Sequence, residues 1–170
     1  MNKHLALLKQ HWHTVYKEAL ASINSRQSFP EADDVYFEGW KFIPFKNDDR
    51  YFPSVHKRFP DTWKMIEPLQ GISRSAILTL EPGGKLDLHT GPHGGEGIVW
   101  RGHLALQTNP DAYMVIEGKQ VPWVEGEWLF FDDQVQHGAF NEGADLRIIL
   151  AFGFLKSHWN LTEEGPEYKY

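Results

Sequence analysis

Two histidines and an arginine near the middle and end of this chain have the types and spacing to do chemistry together. His89 closes a short segment of alternating polarity, Lys85 to His89, just before the turn residues Gly91-Pro92. His137 follows Phe130-Phe131-Asp132-Asp133 and is read as a loop residue, and Arg147 comes ten residues later. Imidazoles brought from two strand ends can converge on one metal ion. Arg147 shares its strand face with Ile149, Ala151 and Gly153. A permanent cation in that company fits a cavity wall that receives an anion, because a guanidinium pairs bidentately with a carboxylate; the plainer reading is a strand-end arginine in solvent. Arg101 and His103 are two apart on an otherwise apolar strand and face one side, either into a polar pocket or onto an exposed face. Asp132 and Asp133 suit turn chemistry as well as a site.

The elements that must position these residues are mostly strands. Segments 75–80, 85–89, 98–107, 113–116, 120–124, 128–131 and 146–154 are short, apolar or alternating, and bounded by Gly, Pro, Asn or Asp. Seven such strands with turn signals every ~8–12 residues predict a sandwich or barrel. Ahead of them, Leu5, Leu8, Trp12, Val15, Tyr16, Ala19, Leu20 and Ile23 recur at helical spacing, predicting one amphipathic helix over 3–24 with Asn2 as its cap. Its histidines, His4, His11 and His13, read as solvated. A Pro-containing connection follows over 28–34, then strands over 35–37 and 39–45, a charged turn over 46–50, and a short helix opening at Phe59-Pro60-Asp61-Thr62. The expected arrangement is a single domain over 1–170, with 1–70 as support packed outside, a barrel core over 71–159 and a tail over 160–170.

Composition narrows the chemistry. The chain has 170 residues, 41% apolar and 14% aromatic, enough for a core without covalent staples. There is no cysteine, so disulfides, thiolate metal sites and thiol nucleophiles are excluded and any metal must be held by His, Asp or Glu. A net charge of −6 argues against nucleic acid or an anionic membrane as partner, while leaving room for a local basic pocket. The N-terminal stretch lacks the apolar core of a signal peptide, and no run approaches the ~18 apolar residues of a membrane span. A cytoplasmic location is expected.

Taken in order, these motifs resemble the aspartyl/asparaginyl β-hydroxylase family. The resemblance is carried by Gly39-Trp40-Lys41-Phe42, Phe59-Pro60-Asp61-Thr62, Glu81-Pro82-Gly83-Gly84, His89-Thr90-Gly91-Pro92, Arg101-Gly102-His103-Leu104, Glu125-Gly126-Glu127, Phe131-Asp132-Asp133 with His137, and Arg147. It covers about residues 38–159, and the ordered set is specific where each motif alone is weak. It implies a mainly β fold, a double-stranded β-helix (jelly-roll, cupin-like) core with the N-terminal helices outside. It also implies Fe(II) and 2-oxoglutarate as cofactors. By the same resemblance His89 and His137 ligate iron, Arg147 grips the distal carboxylate of 2-oxoglutarate, and Arg101 and His103 bind its chelating end. Asp133 orients a water at the metal. The reaction implied is hydroxylation of a C–H bond with release of succinate and carbon dioxide. The substrate would be an aspartyl, asparaginyl or similar amino-acid unit, small, carrier-bound or peptidyl. The sequence carries no helical-repeat region of the kind found in peptide-handling relatives, which favours a small or tethered substrate.

Several positions depart from or refine that pattern. Gly91 stands where most such oxygenases carry a carboxylate ligand, a feature the aspartyl/asparaginyl hydroxylases share; water is expected to complete the site, with Glu96 as the nearest alternative acid. The segment between His89 and Arg101 is longer than in the family, and its His93-Gly94-Gly95-Glu96-Gly97 run is expected to border substrate entry, with His93 more simply a loop histidine. Leu78 falls where a serine usually helps hold the distal carboxylate, leaving Ser73, Ser75 or Thr79 to compensate or Arg147 to act alone. Two other classes fit the same residues: a cupin-like metal enzyme without 2-oxoglutarate, which would need no dicarboxylate clamp, and a non-catalytic binding module.

Overall fold

A computed structural model of the protein describes residues 1–25, 36–37, 39–91 and 99–169. The expected connection over 28–34 and the loop carrying His93 and Glu96 lie outside the described residues. The chain starts with two helices, α1 (Lys3–Gln10) and α2 (Trp12–Asn24), where one was expected. His11 breaks the run with φ −108° and ψ 25°. The break lets α1 bury Leu5 and Leu8 and α2 bury Val15 and Ala19 on differently aimed faces. Asn2 caps α1 as expected, its side chain accepting from the His4 amide.

Strands β1 (Tyr36–Phe37), β2 (Trp40–Asn47) and β3 (Arg50–Tyr51) follow, then helices α3 (Pro53–Arg58) and α4 (Pro60–Ile66). Pro53 opens α3, a short helix not anticipated from sequence. No side chain of its own caps α4. Glu18 of α2 does so instead, accepting from the Asp61 and Thr62 amides at 3.0 Å each and from the Thr62 hydroxyl at 2.6 Å. A carboxylate at a helix start satisfies its orphan amides and favours its dipole.

The remaining strands are β4 (Ile72–Leu80), β5 (Lys85–His89), β6 (Val99–Gln107), β7 (Ala112–Ile116), β8 (Lys119–Pro122), β9 (Trp128–Asp132), β10 (His137–Asn141), β11 (Arg147–Leu155), β12 (Trp159–Thr162) and β13 (Gly165–Tyr168). They form a large sheet in the order β1-β2-β4-β11-β6-β9, a smaller one in the order β5-β10-β7-β8, and a β12–β13 hairpin. All pairs are antiparallel. The large sheet is buried on both faces. Leu104, Leu106, Ile148, Leu150, Phe152 and Phe154 pack toward the helices with Leu5, Leu8, Val15 and Ala19. Ala105, Ile149 and Ala151 face the small sheet and its Met114 and Ala139. The fold is mainly β, a two-sheet jelly-roll with helices outside, as expected.

One further reading of the sequence is corrected. His137 opens β10 and is not in a loop; this strand is brief because Gly138 and Ala139 carry little strand signal. The C-terminal stretch is an ordered hairpin, anchored by buried Trp159, whose indole N–H donates to the Gln70 carbonyl at 2.9 Å and whose ring meets Tyr168 edge-on. The Glu125-Gly126-Glu127 motif docks the helices. Glu127 pairs with Lys9 at 2.5 Å, and Gly126, at φ +76°, lies under Trp12, where a Cβ would come within 2.6 Å of the indole nitrogen.

The β5–β10 pair sets up the site. Its register places His137 opposite His89 and Ala139 opposite Leu86, so Asp87-Leu88 bulges against Gly138. A Cβ on Gly138 would sit 2.8 Å from the Leu86 carbonyl oxygen. Gly138→Ala is therefore expected to lower the unfolding free energy by about 1–3 kcal/mol, as overpacking does, measured by urea denaturation; an unchanged midpoint would show that the strands part without cost.

Candidate active site

The two sheets enclose a cavity of about 810 Å³ including its open mouth, lined by both histidines at the β5–β10 seam, by Arg101, His103 and Arg147, and by Arg74. The rest of its wall is apolar, including Trp40, Phe42, Leu78, Leu86, Trp123 and Phe131. Strand alternation delivers these side chains: on β11, Arg147, Ile149 and Ala151 point inward while Ile148, Leu150 and Phe152 join the outer core. On β6, Arg101 and His103 point inward, and Leu104 and Leu106 outward. The expectation that Arg147, Arg101 and His103 line a pocket and do not face solvent fits this arrangement.

His89 and His137 lie with ring centroids 4.2 Å apart. Each has its Nδ1 on the backbone carbonyl two residues earlier, His89 to Asp87 at 2.7 Å and His137 to Val135 at 2.9 Å. A carbonyl only accepts, so Nδ1 carries the proton in both rings and Nε2 carries the lone pair that can meet a Lewis acid. This is the tautomer and orientation that metal-ligating histidines require. Burial, reinforced by His89, holds the His137 imidazolium below its usual range, although the Val135 carbonyl opposes this. A neutral His137 is the ligand form.

Asp133 is fully buried beside this pair. Its Oδ1 accepts from Arg101 Nε at 2.8 Å and lies 3.8 Å from His137 Nε2, while Oδ2 has no partner among the described residues. Gly91, after His89, donates its amide to the Asp133 carbonyl at 2.8 Å, tying the two strand ends together. Asp132 takes the turn role: its carboxylate accepts from the Gln134 amide at 2.9 Å and pairs with Lys156 at 2.5 Å. Among the described residues no group of three His, Asp or Glu side chains is gathered to hold a metal ion, so the protein donors at hand are the two histidines. The acid Glu96 lies outside the described residues.

Arg147 is 4% exposed, and its Nε and Nη1 have no partner among the described residues. Its Cζ lies 4.6 Å above the Trp123 ring, and burial lowers its pKa to about 9; it stays cationic at neutral pH. The turn before it is pinned by Asn141, whose amide donates to the Leu80 and Asp145 carbonyls at 2.9 Å each. His103 Nδ1 is likewise buried without a partner among the described residues. Burial first, then Arg147 and Arg101, push the His103 pKa well below the usual imidazole value. Unpartnered donors around a cavity, with a buried cation at its far wall, fit a dicarboxylate. Ser73, Ser75 and Thr79 do not help hold it. They lie on the opposite face of β4 from Ala76, Leu78 and Leu80, which line the cavity, and Ser73 Oγ donates to the Gly153 carbonyl.

Sequence reasoning missed Trp123, Arg74 and the Trp40–Phe42 wall as parts of this cavity. The alternation of Trp40 and Phe42 against buried Ile43 and Phe45 was visible, but which face met a core and which a cavity was not. Trp123 follows Pro122 at a strand end and carried no periodic signal.

Comparison with known proteins places these features in a family. The model for aspartyl/asparaginyl beta-hydroxylase matches residues 9–157. An ornithine lipid ester-linked acyl 2-hydroxylase from Rhizobium tropici is 32% identical over 103 residues, 59% of this chain and 36% of that protein. Aspartate beta-hydroxylase domain-containing protein 2 from Xenopus tropicalis is 30% identical over 149 residues, 81% of this chain and 40% of its own length. The chain thus spans well under half the length of these relatives. Among solved structures, an oxidoreductase of the 2OG-Fe(II) oxygenase family from Burkholderia pseudomallei aligns with a TM-score of 0.52 at 11% identity, covering 79% of this chain and 75% of that one. The cupin domain of Cnp3 from Schizosaccharomyces pombe aligns with a TM-score of 0.50 at 7% identity, covering 76% and 73%. These likenesses show the fold.

The neutral, buried His103 gives the metal-free protein a pH signature. Below about pH 6.5 the unfolded chain binds a proton at this residue that the folded protein refuses, so stability falls as pH drops, by up to about 1.4 kcal/mol per pH unit until the folded-state pKa is reached. Denaturant unfolding at pH values from about 7.5 to 5.5 is expected to show that loss, and His103→Gln to flatten it. An equally steep fall in the variant would assign it elsewhere.

Proposed function

The chain belongs to the aspartyl/asparaginyl beta-hydroxylase family, and on that footing we propose that it is an Fe(II)- and 2-oxoglutarate-dependent dioxygenase that hydroxylates a C–H bond. The observation that carries the reading is the pairing of two Nε2-presenting histidines with a buried, unpartnered arginine in one cavity. A metal enzyme that binds no dicarboxylate has no use for Arg147 at that cost, and a pure binding module has no use for the fixed histidine tautomers.

His89 and His137 hold the metal through Nε2, with the Asp87 and Val135 carbonyls fixing each ring. Arg147 receives the distal carboxylate of 2-oxoglutarate. His103 and Arg101 meet its other end, Arg101 being held by Asp133. Asp133 Oδ2 is the acceptor left over and orients a water beside His137. When bound, iron and 2-oxoglutarate together activate oxygen, with the oxo acid leaving as succinate and carbon dioxide and one oxygen atom reaching the substrate. The apolar wall excludes water, and the three arginines draw anions into a chain whose net charge is −6.

The substrate in this proposal is an aspartyl, asparaginyl or similar amino-acid unit, free, carrier-bound or peptidyl, met in the cytoplasm; nucleic acid and membranes are not partners. No helix among the described residues is long and apolar enough to cross a membrane. The Trp40, Phe42, Leu78 and Leu86 wall favours a second reading, an acyl C–H bond, the kind named for the Rhizobium tropici relative.

With Fe(II), air and 2-oxoglutarate, the protein is expected to form succinate, and a panel of amino acids, aminoacyl carriers, peptides and acyl lipids to contain one class that gains an oxygen atom in mass. His137→Ala is expected to bring succinate to background. Arg147→Ala is expected to weaken 2-oxoglutarate on the order of 100-fold with far less effect on metal binding. No succinate with any of the panel, or equal loss of metal and oxo acid in Arg147→Ala, overturns the assignment.

A further inference from the structure

Leu78 leaves the distal carboxylate with one protein anchor, and that carboxylate has about four acceptor positions to fill. It lines the cavity but offers no donor, and the hydroxyls of Ser73, Ser75 and Thr79 are on the other face of β4. A carboxylate held in an apolar wall by Arg147 alone would leave lone pairs buried and unsatisfied.

The wall supplies another donor. Trp123 is 4% exposed, and its Nε1 is buried with no acceptor among the described residues. This is unusual for an indole, whose N–H finds a partner when buried. Three other tryptophans follow that rule: Trp100 donates to the Trp159 carbonyl at 3.2 Å, Trp128 to the Leu5 carbonyl at 3.2 Å, and Trp159 to the Gln70 carbonyl at 2.9 Å. Trp123 departs from it at the place where the Arg147 guanidinium lies 4.6 Å over its ring and also has free N–H groups. The ring holds the guanidinium by a cation–π contact and sets the distance between the two sets of donors.

From these juxtaposed donors we infer that the Trp123 indole N–H is the second anchor of the distal carboxylate, working beside Arg147 in place of a hydroxyl. The inference rests on the reading of the cavity as a 2-oxoglutarate site. It makes Trp123 a specificity-determining residue: it selects oxo acids with a second carboxylate over monoacids, because only the former satisfy its N–H.

The test is anaerobic calorimetric titration of the manganese(II)-loaded protein with 2-oxoglutarate and with 2-oxobutanoate, which lacks the distal carboxylate. Trp123→Phe keeps an aromatic platform and removes only the donor. It is expected to bind 2-oxoglutarate 10- to 100-fold more weakly, on the order of a hydrogen bond to a charged group, and 2-oxobutanoate unchanged. Loss of affinity for both acids alike, or for neither, overturns the role of Trp123 while leaving the cofactor reading intact. Failure of the unsubstituted protein to bind 2-oxoglutarate overturns both. Should Trp123→Phe not fold, the indole N–H resonance of the unsubstituted protein decides: it should move on adding 2-oxoglutarate and stay in place with 2-oxobutanoate, and an unmoved resonance overturns the inference.

Discussion

A guanidinium buried in an apolar wall with unpartnered N–H groups is the costliest feature of this molecule, and much of the structure is arranged around it. Removing a charge from water costs several kcal/mol unless a counter-charge meets it. Among the described residues Arg147 has no ion pair; it has the Trp123 face. In the proposed assignment a dicarboxylate supplies that counter-charge, with one end at Arg147 and the other at His103 and the β5–β10 histidines. The same electrostatics keep His103 neutral, since a third positive charge there would add repulsion to desolvation.

The scaffold makes that cost bearable by rigidity. β11 is buried along nearly its whole length between β4 and β6, so Arg147 starts from a fixed strand. Asn141 bonds the Leu80 and Asp145 carbonyls and fixes the turn entering β11. On the other sheet, cross-strand register alone brings His89 and His137 together, and the Asp87 and Val135 carbonyls turn both rings the same way. The helices contribute from outside. Glu18 caps α4, while Lys9 with Glu127, and Tyr16 with Gln107 at 2.7 Å, fasten the first two helices to the large sheet. The site is carried by strands, and the helices seal the far face of the sheet that bears Arg147.

Much of this was legible in the sequence because strand alternation is a strong signal when one face is apolar. That Arg101 and His103 share one strand face, and Arg147 one with Ile149 and Ala151, followed from counting residues by twos; that these faces meet a cavity did not. The boundaries of β5, β6, β7 and β9 followed to within a residue from Gly, Pro and Asn punctuation, whereas β4 begins earlier and β8 ends earlier than read. What escaped had weak local signals. β10 is a five-residue strand with glycine second in it, and the β5 partner of His137, His89, is far upstream in sequence, so nothing local marked His137 as a strand residue. The break at His11 has no glycine or proline. The C-terminal hairpin is polar on its outer face and hides its one buried indole. Trp123 could not be singled out because its importance is an unmet hydrogen bond, a property of the fold and not of the neighbouring residues.

The central claim is that one cavity holds a metal at its histidine end and a dicarboxylate at its arginine end. Absorption spectroscopy under anaerobic conditions addresses both ends in one titration, because Fe(II) chelated by a 2-oxo acid absorbs visible light through charge transfer. Adding Fe(II) and then 2-oxoglutarate should raise a saturable visible band, absent when His89 and His137 are both alanine and requiring far more 2-oxoglutarate when Arg147 is alanine. A featureless spectrum in the unsubstituted protein, or a band indifferent to these substitutions, would contradict the account.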